Sequence, residues 1–508
     1  MQRMHTAQDA AQWLRAHVKG ALRTDSRAVK PGDAFIAWPG AATDGRQYVA
    51  QAWAQGASAC LVEEEGLSAW QSVLESAATP KGQLAVMPHL KAQTGCVAAA
   101  YYENPSQAMN VLAVTGTNGK TSIAWWLAQA LSSPALQRAC GLMGTLGVGR
   151  VPQLLATGMT TPDPVLMQRQ YRQFVDDGVL HCAIEASSIG LAEHRLDGTQ
   201  IRVAVFSNFT QDHLDYHGDM ERYWAAKEAL FAWPGLQAAV INIDDAQGAL
   251  LAKRLCKSGM DVWTCSRENV ARLQASEIDN PHGIAFEVRE GQDVQTLRTD
   301  LMGDYNIDNL LGVIGALRAL GLSLAQAVQA CGHLTAVPGR MQRVAAPQTS
   351  QNLPWVVVDY AHTPDAVSHA LAALRSQAAL RGGQLWCVLG CGGDRDASKR
   401  PLMARAAEAA ADHVVLTSDN PRSEAPDAIL AAMQTGLRHP AQAHIQADRA
   451  LAIAQAIQQA DARDVVLLAG KGHETTQDIA GVRYPFSDAT HAEQALHMRA
   501  QQNQGAAA

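Results

Sequence analysis

The densest chemical signal in the chain is Val111-Leu-Ala-Val-Thr-Gly-Thr-Asn-Gly-Lys-Thr-Ser122, an apolar run entering a turn with two glycines and leaving it into a helical pattern. Glycines in such a turn let backbone N–H groups face an anion, and the N-terminus of the following helix adds its dipole. Lys120 is placed to reach β- and γ-phosphates, and the Thr121 hydroxyl can hold Mg²⁺. Gly116, Thr117, Asn118, Gly119, Lys120, Thr121 and Ser122 therefore read as an ATP-binding loop. It is shorter than the general phosphate loop, because Val114 stands where the first glycine would be. The plainer alternative, a glycine turn with an exposed lysine, is disfavoured by the strand before it and the helix after it.

Short Val/Ile/Leu runs alternate with helical patterns through most of the chain, which predicts an α/β protein with mostly parallel sheets. In the first hundred residues, 34–37 and 57–62 read as strands, and 48–55 and 91–102 as helices. Asn104-Pro105-Ser106 breaks the pattern before the strand at 111–114. Further strands are expected at 182–185, 203–207 and 239–243, with a helix at 309–320. After the breaker Val337-Pro338-Gly339, strands at 355–359, 385–389, 413–417, 443–446 and 465–469 alternate with helices, the pattern of a doubly wound, Rossmann-like domain. Three domains follow, at 1–105, 106–337 and 338–508.

Composition excludes several classes. With 47% apolar and 18% charged residues and a formal net charge of −7, the 508-residue chain can bury a sizeable core, and neither a nucleic-acid surface nor a membrane insertion is expected. No signal-peptide pattern leads the chain, so a cytoplasmic monomer is expected. Nine scattered cysteines lack paired CxxC spacing, even at Cys387 and Cys391, and read as free thiols. The tail from Gln501 onward is expected to fray.

The shortened loop Gly-Thr-Asn-Gly-Lys-Thr resembles that of the Mur ligase superfamily, which includes folylpolyglutamate synthase. Other segments extend the resemblance: Glu185-Ala-Ser-Ser188 after an apolar strand, Ser207-Asn-Phe-Thr-Gln-Asp-His-Leu-Asp-Tyr-His217, and Tyr223-Trp-Ala-Ala-Lys227 at a helix start. Taken singly, Glu185 passes for a polar strand end, His213 for a loop histidine and Lys227 for a solvated helix lysine. The resemblance implies that Lys120, Glu185, His213 and Lys227 are catalytic. It implies that Thr121, Glu185, His213 and Lys227, the last as a carbamate (N6-carboxylysine), bind magnesium. A carbamate turns a cation into an oxygen ligand suited to hard Mg²⁺. Gly303-Asp-Tyr-Asn-Ile-Asp-Asn309, Pro338-Gly-Arg340 and Asp359-Tyr-Ala-His-Thr-Pro-Asp365 resemble the family's other ATP contacts, implying roles for Asn309, Arg340 and His362.

In the last domain, Gly390-Cys-Gly-Gly-Asp-Arg-Asp396, Ser418-Asp-Asn-Pro-Arg-Ser-Glu424 and Gly470-Lys-Gly-His-Glu474 each follow a strand, where doubly wound sheets bind ligands. Gly390-x-Gly392 lacks the spacing of a dinucleotide site. Asp419-Asn420-Pro421-Arg422 resembles the mark of family members that add meso-diaminopimelate to UDP-N-acetylmuramoyl-L-alanyl-D-glutamate in peptidoglycan synthesis. The resemblance implies that Arg395, Asp419, Asn420, Pro421, Arg422, Gly470 and Glu474 bind the amino acid, with Glu474 pairing an ammonium. It implies that Ser26, Thr160, Thr161, Ser187, Glu193 and Arg195 contact the nucleotide-sugar peptide. Glu193 stands where a glutamine is expected, and Ala41-Ala42-Thr43 where His-Gln-Ala is expected. The alternatives are a folylpolyglutamate synthase-like ligase and a non-enzymatic nucleotide-binding protein.

Overall fold

The computed structural model describes residues 1–40, 43–74, 82–279, 283–345 and 352–507. It divides into two compact units. One comprises Met1–Ala275, Val288–Gln295 and Asp308–His333; the other comprises Ser276–Glu287, Thr296–Ile307 and Leu334–Ala508.

The first unit begins with a five-stranded parallel sheet in the order Gln2–Arg3, Leu84–Met87, Ala59–Glu63, Ala34–Ala37, Leu22–Arg23. Its three interior strands are buried along their whole length, as a sheet covered on both faces requires. Ile36 and Leu61 pack with Trp13, Leu14 and Val97 of two helices on one face. Phe35 and Val62 pack with Val49 and Trp53 on the other.

A second sheet in the same unit has Asn110–Thr115 between His181–Glu185 and Val203–Phe206, all parallel. Cys140–Gly144 extends it on one side, and Ala238–Asn242 and Asp261–Ser266 on the other. The register sets Glu185 opposite Val114, and Phe206 opposite Thr115. Three carboxyl ends therefore finish level, and the loops after Thr115, Glu185 and Phe206 meet at one edge. That edge is where open α/β sheets bind ligands.

The second unit holds a six-stranded sheet in the order Gln342–Arg343, Trp355–Asp359, Val465–Ala469, Leu385–Cys391, His413–Ser418, His444–Ile445. All neighbours are parallel except the first pair. Asp359 and Leu389 both register with Ala469, and Cys391 with Ser418, so four strands again end together. Helices Pro364–Arg381, Lys399–Ala410 and Pro426–Gln434 contribute to the core on one face. Arg449–Gln459 and Asp488–Ala507 contribute to the other, giving the doubly wound arrangement.

The expected strands fall within about two residues of those observed. The tail differs from expectation, since the helix Asp488–Ala507 runs through it. Leu496 and Ala500 anchor that helix in the core, and Ala and Gln propagate it readily. All nine cysteines are free thiols; most are buried, while Cys256 is exposed. Among the described residues no helix is long and apolar enough to cross a membrane.

Candidate active site

The loop after Asn110–Thr115 turns on Gly116 and Gly119, whose φ angles of 145° and 86° suit glycine alone. A Cβ on Gly116 would collide with Ser207 Oγ, and one on Gly119 with Asn309 Oδ1. Asn309, expected at the nucleotide from sequence, thus stands against the loop. Partners from the Val203–Phe206 strand end hold the loop's outer arm: Asn118 N donates to Asn208 Oδ1 at 2.8 Å, and Ser207 Oγ donates to the Asn118 carbonyl at 2.5 Å. The helix Lys120–Ser132 takes Gly119 as its N-cap, a residue with no side chain to occupy the first-turn N–H groups. Those groups suit an anion. Gly119→Ala should cost about 1–3 kcal/mol of backbone strain and displace Asn309. Calorimetric titration with ADP is expected to show clearly weaker binding in the variant, and wild-type affinity would contradict this reading of the loop.

Lys120 Nζ donates to the carbonyls of Gly116 at 2.9 Å and Thr117 at 2.8 Å. Lys227, 1% exposed, reaches the same place from the helix Met220–Glu228, its Nζ donating to the Gly116 carbonyl at 2.7 Å over the Tyr223 ring at 4.4 Å. Two ammonium groups therefore share one carbonyl oxygen. Burial first, and then the Lys120 charge, hold the Lys227 amine well below the usual lysine value. Tyr223 also meets Thr117 Oγ1 at 3.1 Å. Sequence reading missed Tyr223 as a site residue, although its place four residues before Lys227 puts both on one helix face.

Glu185 is 1% exposed at its strand end and accepts from Thr121 Oγ1 at 2.9 Å, Thr145 N at 2.7 Å and Thr145 Oγ1 at 3.2 Å. Thr145 was not foreseen. His213 adopts a left-handed φ of 52° beside Asp212 at 3.6 Å, and burial lowers its pKa, with the Lys120 and Lys227 charges adding to the effect. Among the described residues, no cluster of three or more His, Cys, Asp or Glu is arranged to hold a metal.

Four of the residues expected at the nucleotide-sugar peptide gather around Glu185. Thr161 Oγ1 donates to the Glu185 carbonyl at 2.7 Å and lies 2.9 Å from Ser187 Oγ; Arg195 donates to the Thr161 carbonyl at 3.0 Å; Thr160 Oγ1 lies 3.1 Å from Thr145 Oγ1. Glu193 is committed elsewhere, to Lys91 at 2.7 Å and the Tyr216 hydroxyl at 2.5 Å. Ser26, in the Ser26–Ala28 turn, is buried and donates to Gln51 Oε1 at 3.1 Å. Ala41 and Ala42, where a departure was noted, lie outside the described residues.

In the second unit, the segments after three strand ends interlock. Asn420 Nδ2 donates to Glu474 Oε2 at 2.7 Å, and Lys471 Nζ donates to the same oxygen at 2.8 Å. Burial alone would raise the Glu474 pKa, but the Lys471 charge and these hydrogen bonds outweigh it and hold the carboxyl below its ordinary value. A Cβ on Gly470, at φ 114°, would press on Asp419 Oδ2. Burial raises the Asp419 pKa, with Arg449 and Lys471 opposing. Arg422 takes a left-handed φ of 53° and donates to the Gly393 carbonyl at 2.6 Å, beside the segment that carries Arg395. Pro421 is buried behind it. Arg340 and His362 also sit in this unit, the guanidinium over the Tyr360 ring at 4.3 Å and the imidazole 4.7 Å from it. The Tyr360 ring in turn lies 5.2 Å from that of His473 at a tilt of 43°, and burial holds the His473 imidazole neutral with a pKa of about 4. Sequence reading passed over Tyr360, His473 and Lys471.

Three family models match the chain: the Mur ligase family, catalytic domain, over residues 20–97; the Mur ligase middle domain over 114–317; and the Mur ligase, glutamate ligase domain, over 339–472. A UDP-N-acetylmuramoyl-L-alanyl-D-glutamate–2,6-diaminopimelate ligase from Acidovorax sp. (strain JS42) is 56% identical over 501 residues, covering 97% of this chain and 98% of that relative. A ligase of the same description from Janthinobacterium sp. (strain Marseille) is 47% identical over 505 residues, covering 96% and 97%. A solved structure of such a ligase is similar with a TM-score of 0.63 at 36% identity, covering 94% of this chain and 95% of that one. Folylpolyglutamate synthase from Mycobacterium tuberculosis reaches a TM-score of 0.60 at 18% identity over 80% of this chain and 94% of its own, a likeness of fold alone. With the phosphate loop and its partners in place, these matches show that the chain belongs to the Mur ligase family, as an ATP-dependent amide-bond ligase of peptidoglycan synthesis.

Proposed function

We propose that the enzyme acts in the cytoplasm as three domains, 1–105, 106–337 and 338–508, joining meso-2,6-diaminopimelate to UDP-N-acetylmuramoyl-L-alanyl-D-glutamate. The observation that carries the choice of amino acid is the pairing of Asn420 with Glu474, which puts the Asp-Asn-Pro-Arg segment beside a half-buried carboxylate. A ligand with two ammonium groups and a distal carboxylate suits a site offering both a carboxylate and a guanidinium.

In the reaction, a carboxylate of the D-glutamyl residue attacks the γ-phosphorus of ATP, ADP leaves, and an acyl phosphate forms. The diaminopimelate amine then attacks the acyl carbon, phosphate departs and a proton is released. Gly116–Ser122 would bind the triphosphate with Asn309 against the loop, and Lys120 would neutralise charge on the transferring group. Ser26, Thr160, Thr161, Ser187 and Arg195 would position the nucleotide-sugar peptide. Glu193, committed to Lys91 and Tyr216, would steady that wall rather than contact it.

Magnesium fits the loop when Lys227 is a carbamate. Thr121, Glu185 and the carbamate then supply oxygen donors with His213 alongside, and Mg²⁺ characteristically takes one or two carboxylates plus phosphate oxygens rather than a full protein cage. Bound there, it would withdraw charge from the phosphoryl oxygens. Carbamylation also replaces one of the two cations that share the Gly116 carbonyl with an anion, relieving their repulsion.

Phosphate release measured across a panel of amino acids, with UDP-N-acetylmuramoyl-L-alanyl-D-glutamate as acceptor, tests the reading. Turnover is expected with meso-diaminopimelate and to require both substrates. Turnover needing glutamate and a folate would favour the folylpolyglutamate reading, and turnover independent of any amino acid would favour a nucleotide-binding protein of another kind.

A further inference from the structure

Lys471 lies inside the Gly470–Glu474 segment with a side chain wholly removed from solvent, 0% exposed. Its Nζ donates to Asn420 Oδ1 at 3.0 Å and to Glu474 Oε2 at 2.8 Å. Asn420 Nδ2 closes the ring by donating to the same Glu474 oxygen at 2.7 Å, and Asp478 N caps Asn420 Oδ1 at 3.0 Å. Asn420 carries no freedom to flip in this arrangement, since its carbonyl oxygen receives two donors and its amide faces a carboxylate.

A buried ammonium is a poor way to obtain stability alone, because apolar packing of similar volume usually does as well or better. The sheet already carries a wholly buried pair, Arg449 with Asp488 at 2.7 Å, where Arg449 also donates to the carbonyl of Ala469 at 3.0 Å. That pair ties strand ends to the last helix. Lys471 instead joins two residues that the family resemblance implies for amino-acid recognition. Lys471 and Asn420 both donate to Glu474 Oε2, so two donors pin one oxygen of that carboxylate.

We propose that Lys471 is a positioning residue for the amino-acid site: it locks Asn420 and Glu474 into one unit and fixes the direction in which the Glu474 carboxylate meets the substrate ammonium. The proposal rests on the amino-acid site argued above and names a residue that acts through Glu474 rather than by touching substrate. Glu474 thereby serves an ammonium while already paired, so the site takes the amino acid without carrying an uncompensated buried charge when empty.

The test is steady-state kinetics of the full-length enzyme with Lys471→Met, Glu474→Gln and the double variant, varying each substrate in turn. Lys471→Met is expected to raise KM for meso-diaminopimelate by about tenfold to a hundredfold, the scale of losing hydrogen bonds to a charged group. KM for ATP and for the UDP-linked dipeptide should hold steady, and kcat should fall less than KM rises. Adding Glu474→Gln should then do little more, because the two changes act on one unit. Lys471→Gln, which keeps a donor without the charge, carries the same test if the methionine variant does not fold. Parallel rises in KM for all three substrates, or additive effects in the double variant, would overturn the proposal. A wild-type enzyme that does not use meso-diaminopimelate would instead overturn the functional reading on which it stands.

Discussion

Lys227→Ala leaves a folded protein whose turnover with saturating Mg²⁺ falls by about 10²–10³, the loss expected when a preorganised charge stabiliser is removed. The fold should survive because Lys227 stabilises its surroundings little as a plain ammonium. It is buried, and it shares the Gly116 carbonyl with a second cation. Its removal takes away that repulsion while leaving the Tyr223–Thr117 contact to hold the loop. Thermal melts of variant and wild type check the fold, and phosphate release checks the activity. Formate or acetate added to the variant should restore part of the rate by supplying the missing oxygens. Wild-type turnover in the alanine variant would show that no carbamate works there.

Arg422→Ala should lower kcat/KM for meso-diaminopimelate by about tens to a few thousand fold, while the poor rate with L-lysine barely changes. The two amino acids differ by one distal carboxylate, and losing one partner of a desolvated charge pair costs about 2–5 kcal/mol. The geometry makes the residue specific rather than incidental. Arg422 holds a left-handed backbone that a non-glycine residue adopts at a cost of about 1–3 kcal/mol, and such strain gathers at ligand clamps. Backbone bonds on both sides, from Arg422 N to the Asp478 carbonyl and from Ala480 N to the Arg422 carbonyl, hold it in that state. Equal losses with both amino acids would show a structural arginine instead.

Much of this was legible in the sequence, for identifiable reasons. Val465–Ala469 is apolar from end to end and Asn110–Thr115 is apolar through its middle, Val111 to Val114, so both stand out against any background. The phosphate loop announces itself because its glycines sit between such a strand and a helix. Glu185 and Lys227 were legible only by their order along the chain, since nothing local marks a strand-end carboxylate or a helix lysine as buried. Thr145 was illegible because it follows Cys140–Gly144, a strand with two glycines among five residues, for which no strand was expected. Thr476–Ile479, which bridges to Arg422, and its partner strand Val482–Pro485 carry mostly polar or exposed residues and leave no hydrophobic pattern to read. Lys471 reads as a loop lysine until the fold brings Asn420 to it, a contact spanning 51 residues.

The most direct measurement of the central claim is a competition. Wild-type enzyme, ATP, Mg²⁺ and UDP-N-acetylmuramoyl-L-alanyl-D-glutamate are incubated with equimolar meso-diaminopimelate and L-lysine, and the UDP-linked products are resolved by mass spectrometry. The account predicts that the diaminopimelate tripeptide forms almost alone, together with ADP and phosphate in equal amounts. A product dominated by the lysine tripeptide would contradict it.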